Sequence, residues 1–164
     1  MNLYLVRHAI AGVRDPNQWP DDSLRPLTKK GAQRFRKAAQ GLGRFAPPPE
    51  VVLSSPYARA WQTAEILAKE VNWPDPEACD ALKEYAPSDV MAALVSHASA
   101  ATVALVGHEP YLSALTLTLM GQSPRPSLEL KKGATACVRL EQLDFSHPGM
   151  LLWTLPPRAL RALA

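Results

Sequence analysis

Three short apolar runs, at residues 3–6, 51–53 and 102–106, constrain this chain more than any other feature. Each has the length of a buried strand, and each is followed by turn residues and then a helical pattern. Strands alternating with helices predict an α/β fold with a mostly parallel sheet covered on both faces. Thr28 is a good N-cap for a first helix reaching about residue 42, with Gly41 and Gly43 read as its end. Ser54-Ser55-Pro56 reads as a strand-to-helix turn in which Ser55 caps and Pro56 takes the first helical position, the helix running to about residue 71. A third helix is expected from Pro87-Ser88 to about residue 99, and a fourth from Pro110 to residue 119 or 120. Residues 134–140 and 150–155 read as two later strands, and 158–163 as a last turn of helix. Residues 11–27, rich in Gly, Pro, Asn and Asp, form a long loop.

With 164 residues the chain fits a single domain over positions 1–164. No stretch approaches the roughly 20 apolar residues of a membrane span, and Arg7 and His8 interrupt the first apolar run too early for a signal peptide. A cytoplasmic protein is therefore expected, without a membrane partner. A net charge of +3 suits anionic substrates but lacks the concentrated basic runs of a nucleic-acid binder. The cluster Lys29, Lys30, Arg34, Arg36 and Lys37 reads as the solvated face of a helix. Cys79 and Cys137 are far apart, with no metal-ligand spacing, and are taken as packing residues. His97 and His147 are read as surface residues.

In parallel sheets, ligands gather beyond the carboxyl ends of the strands. Arg7-His8, Ser54-Ser55 and Gly107-His108 all stand just past such ends, so distant segments converge on one sheet edge. Arg59, in the first turn of its helix, can reach back to join them. Two guanidiniums and two imidazoles near a helix N-terminus suit a phosphoryl group. An imidazole with one ring nitrogen held and the other unprotonated is a good nucleophile, and nearby arginines are expected to keep His8 neutral. Arg7, Arg59 and His108 would share the transition-state charge, in the place that Mg²⁺ fills in kinases. No carboxylate cluster suggests a metal, so neither metal nor other cofactor is expected. Glu84 is the first choice for a general acid overhanging the site, and Glu109 an ordinary carboxylate at a helix N-terminus, pointed into the first turn.

These residues also carry a family resemblance. Val6-Arg7-His8-Ala9 resembles the Arg-His-Gly signature of the histidine phosphatase (phosphoglycerate mutase-like) superfamily, with Ala9 in place of the usual Gly. The segment from Ser54-Ser55-Pro56-Tyr57-Ala58-Arg59 to Thr63-Ala64 is similar to its second motif, and Val106-Gly107-His108 to its third. Arg25-Pro26-Leu27-Thr28-x-x-Gly31 and the short chain resemble the SixA-like phosphohistidine phosphatase branch. The resemblance implies a three-layer α/β/α sandwich, a phosphohistidine intermediate on His8, and phosphate contacts from Arg7, Arg59 and His108. It also implies that Arg25 reaches the phosphate from its loop.

The leading expectation is a phosphatase acting on a phosphohistidine protein. A small-molecule phosphomonoesterase acting on a sugar phosphate or nucleotide is the alternative, and a non-catalytic phosphate-binding module the third.

Overall fold

The computed structural model describes residues 1–123 and 128–164. In chain order its elements are β1 (Asn2–Arg7), α1 (Lys29–Phe45), β2 (Val51–Ser54), α2 (Ala58–Val71), β3 (Glu77–Ala78), α3 (Pro87–Ser96), β4 (Thr102–Gly107), α4 (Tyr111–Leu119), β5 (Thr135–Arg139), β6 (Met150–Leu155) and α5 (Pro157–Ala162). The strands form one six-stranded sheet in the order β3-β2-β4-β1-β5-β6. Pairs among β1 to β4 are parallel, whereas β5 runs antiparallel to both β1 and β6.

Alternation along the central strands builds two cores. Leu3, Leu5, Val103 and Leu105 face Val90 and Leu94 of α3 and Leu112 and Leu115 of α4. Tyr4, Val6, Ala104 and Val106 face the other way, onto Phe35 and Leu42 of α1, Ala64 and Leu67 of α2, and Leu160 of α5. Because strand side chains point alternately to opposite faces, an unbroken apolar strand serves two helical layers at once. The result is the three-layer sandwich expected.

Several boundaries differ from the sequence reading. The first helix continues through Gly41 and Gly43 to Phe45. A Cβ on Gly41 would lie 1.8 Å from the carbonyl oxygen of Leu160, so this glycine admits α5 against α1 and does not end the helix. The third helix stops at Ser96, short of residue 99. The two-residue strand β3 was not foreseen; it carries an exposed Glu-Ala pair without an apolar pattern. Among the described residues, no helix is long and apolar enough to cross a membrane.

Register brings the three motif ends together. Arg7 stands opposite Gly107, and Ser54 opposite Val106. The sheet pattern extends one residue further: His8 N–H donates to Gly107 O at 3.0 Å and Ser55 N–H to Val106 O at 2.9 Å. His8, Ser55 and His108 thus leave the sheet side by side.

Candidate active site

The bend after β1 is held from two sides. Gly133 N–H lies 3.1 Å from both the Arg7 and His8 carbonyl oxygens. Ala9 N–H donates to Thr63 Oγ1 at 3.0 Å, and that hydroxyl donates in turn to Arg59 O at 2.7 Å. A fully buried threonine of α2 therefore ties the His8 segment to the turn that carries Arg59. His8 Nδ1 sits 2.7 Å from the carbonyl oxygen of Ala9. A carbonyl only accepts, so Nδ1 carries the proton and Nε2 keeps its lone pair.

His108 lies beside it, with ring centroids 5.2 Å apart. Its Nε2 is 2.9 Å from Ser55 Oγ, and the Tyr57 ring is also close, at 5.1 Å between centroids. Ser55 does not cap α2 as the sequence reading had it. The N-cap is Tyr57, without a side-chain bond, and the helix starts at Ala58, not Pro56. The buried Ser55 hydroxyl is turned inward to His108 and also accepts from Tyr57 N–H at 3.4 Å, ahead of the first turn of α2. Arg59 keeps its expected place in the first turn.

Arg59 and Arg25 meet across Asp22. Arg59 donates through Nη1 to Asp22 O at 2.8 Å, and its Nη2 lies 3.2 Å from Asp22 Oδ2. Arg25 Nε donates to Asp22 Oδ1 at 2.8 Å, and its Nη1 to Gly12 O at 2.8 Å. The Arg25 hydrogen bond and the Arg59 and Arg25 charges hold the Asp22 carboxyl below its ordinary range. Asp22 escaped the sequence reading, although its position three residues before Arg25 was available as a signal.

Arg7, the last residue of β1, donates through Nη1 to Leu130 O at 2.5 Å and lies 3.6 Å from Glu129 Oε1. Glu109 stands just ahead of α4 and points into its first turn, accepting from Ser113 Oγ at 2.7 Å, and it also accepts from Leu130 N–H at 3.3 Å. It thereby holds the N–H of the residue whose carbonyl holds Arg7, a connection invisible in sequence because Leu130 is remote. Burial pushes the Glu109 carboxyl up. Glu84 is exposed, at the edge of a small hollow that His108 also lines. His97 faces Glu77 at 3.8 Å and His147 bonds Asp144 at 3.0 Å, both away from this cluster.

Electrostatics sharpen the picture. The His8 ring is held at about 4, chiefly by burial, then by Arg59, Arg7 and Lys132, against the opposing Ala9 bond. The sequence reading assigned that effect to the arginines; desolvation is larger. His108 is held at about 3, again by burial first and then by His8 and Arg59. Both rings are neutral at pH 7. Arg7 Nε, Arg59 Nε and His108 Nδ1 are buried without a hydrogen-bond partner among the described residues. Buried polar groups are normally paired, so a cluster of unpaired nitrogens beside a neutral imidazole marks a place for an acceptor-rich group. Among those same residues, no three His, Cys, Asp or Glu side chains are grouped to hold a metal ion.

Residues 3–91 match the family model of the histidine phosphatase superfamily (branch 1). The chain belongs to that superfamily. As a histidine phosphatase it is 35% identical over 145 residues to an uncharacterized protein of Picosynechococcus sp., covering 85% of both chains. It is 27% identical over 163 residues to the phosphohistidine phosphatase SixA of Escherichia coli, covering 96% of this chain and 94% of that one. Its fold matches a structure of the protein histidine phosphatase SixA complexed with tungstate at a TM-score of 0.81, with 30% identity over 98% of this chain and 99% of that one. Membership carries the coarse activity: the chain is a phosphatase, a hydrolase.

Proposed function

We propose that this phosphatase removes the phosphoryl group from phosphohistidine in a protein, working as one domain over residues 1–164 with His8 as its nucleophile. The observation that carries the reading is the tautomer of His8. With Nδ1–H spent on Ala9 O and the ring neutral, Nε2 is free to attack phosphorus. The His8 Nε2–P bond forms as the substrate's P–N bond breaks, and the imidazole leaving group departs carrying a proton. Water then attacks the phosphorus, and the His8–P bond breaks to release inorganic phosphate.

Arg7, Arg59 and His108 offer unpaired donors to the phosphoryl oxygens. If Ser55 donates its hydroxyl proton to His108 Nε2, the proton of His108 stands on Nδ1, the nitrogen left unpartnered. Arg25 joins them by turning from Asp22, and Asp22 holds Arg59 and Arg25 in place until an anion arrives. Glu84 serves as a proton donor from the rim of the His108 hollow, a part that matters less for imidazole than for an alkoxide leaving group. Similarity to SixA in sequence and in fold supports the phosphohistidine substrate.

The test is a panel assayed with purified protein: a phosphohistidine protein, phosphoserine and phosphotyrosine peptides, and sugar phosphates. A preference of at least about a hundredfold in kcat/KM for the first is expected, and a preference for sugar phosphates would replace this reading. His8→Ala should abolish turnover while leaving phosphate binding measurable. Activity should survive EDTA, and a strict Mg²⁺ or Zn²⁺ requirement would overturn the metal-free chemistry.

A further inference from the structure

A cleft of about 230 Å³ opens between α1, α5 and the turn that enters β5. Arg34, Lys131, Lys132, Arg158 and Arg161 line it, and among the described residues no carboxylate does. Its floor is apolar, from Phe35, Ala38, Pro156 and Pro157. Among the described residues, none of the five cations takes part in an ion pair. The sequence reading took Arg34 as part of a solvated helix face. The fold instead brings it together with four cations from nearly a hundred residues or more further along the chain. Five unanswered like charges around one cleft raise the local concentration of anions.

The cleft adjoins the nucleophile. Ala9 and Ile10, the two residues after His8, form part of its wall. With consecutive Cα atoms ~3.8 Å apart, that wall begins within ~8 Å of the His8 Cα. Lys132 is close enough to disfavour the charged form of His8. A substrate bound at His8 therefore has only to reach past the Ala9-Ile10 segment to enter the cleft.

We propose that this cleft docks an acidic segment of the phosphorylated protein whose phosphohistidine reaches His8. The proposal rests on the phosphatase reading and narrows its substrate class to phosphoproteins with carboxylates near the modified residue. A cleft of about 230 Å³ falls short of the ~300–1,000 Å³ that encloses a small molecule, and suits a few side chains of a longer chain. Nucleic acid fits less well, because single strands bind on aromatic stacking platforms. Among the described residues the one aromatic side chain in the lining, Phe35, is 3% exposed. Carboxylates over guanidinium and ammonium groups, with aliphatic stems on the apolar floor, match what is there.

Two synthetic phosphohistidine peptides test this, one flanked by Asp and Glu and the other by Asn and Gln at the same positions. The wild-type protein should prefer the acidic peptide by about tenfold in kcat/KM, mostly through KM, since charges outside the reacting centre act on encounter and binding. The double variant R34E/R158E should abolish or invert that preference while turning over the neutral peptide within about twofold of wild type. Should it fail to fold, R34Q/R158Q is expected to halve the preference or better. Equal kcat/KM for both peptides with the wild type would overturn the docking surface while the phosphatase reading stood.

Fluorescence anisotropy with the unphosphorylated acidic peptide separates the two claims from the other side. Binding that R34E/R158E removes upholds the docking surface even if no substrate is turned over. A single-stranded oligonucleotide of equal charge that bound more tightly than the acidic peptide would overturn the assignment to a protein segment.

Discussion

Arg59 and Arg34 carry the same charge in opposite surroundings. Arg59 is 7% exposed, packed over Tyr57 and ion-paired with Asp22, whereas Arg34 is exposed in a cleft with no partner among the described residues. The same contrast separates the whole pocket around His8 from the cleft beside it. In the pocket, burial decides protonation: it is the largest cause holding His8 at about 4 and His108 at about 3, and the neighbouring charges have smaller effects. In the cleft, water screens each charge, and what remains is a summed field with a reach of about 10 Å at ordinary salt. Buried cations can do chemistry on one group; exposed ones can only gather and orient a partner.

The contrast breaks most visibly at Arg59. Arg59→Gln removes a buried donor and should lower kcat by about 10² to 10³-fold, measured on a small phosphorylated substrate that does not reach the cleft. A drop of less than about fivefold would mean that the pocket treats its arginines much as the cleft does.

Thr63→Val tests the scaffold behind the pocket. It leaves the buried N–H of Ala9 without its acceptor and should destabilise the protein by about 1–3 kcal/mol in chemical denaturation. Because the same hydroxyl sets the position of Arg59 O, kcat should fall with it while KM changes little.

A smaller effect is expected from pH. Both imidazoles have folded values below the unfolded value near 6.5, so between about 4 and 6.5 the unfolded chain binds more protons. Their contribution to stability is complete above about 6.5 and is lost as pH falls towards 4. Lowering the pH from about 6.5 to about 5.5 should cost on the order of 1 kcal/mol per ring, and His8→Ala should lessen that slope by about half. An unchanged slope in the variant would show that the ring is not held neutral by burial.

The smallest effect concerns salt. Raising ionic strength from about 0.05 to about 0.5 M should shrink the acidic-peptide preference severalfold, because the exposed cleft is screened. The kcat of either peptide should change less than twofold.

Much of this was legible in residue order. The three apolar runs, the turn residues after them and the positions of Arg7, His8, Arg59 and His108 follow from spacing, because parallel strands buried on both faces must be short and apolar, with polar residues clustering past their ends. Thr28 caps α1 as read, accepting from Gly31 N–H at 2.9 Å. Gly31 itself carries a second reason: a Cβ there would lie 2.1 Å from Ile10 O, a close approach no local pattern announces.

Other features were decided only by the tertiary structure, and for one physical reason: they depend on partners distant in sequence. Gly41 looks like a helix stop until α5 lies against it. Ser55 looks like a cap until His108 takes its hydroxyl. Glu109 looks like a helix-end carboxylate until Leu130 returns to bridge it to Arg7. By itself the sequence determined which side chains reach the sheet edge, because strand length and turn chemistry are local. It could not determine that desolvation governs their protonation, or that five remote cations face one cleft. Burial and electric field belong to the folded whole.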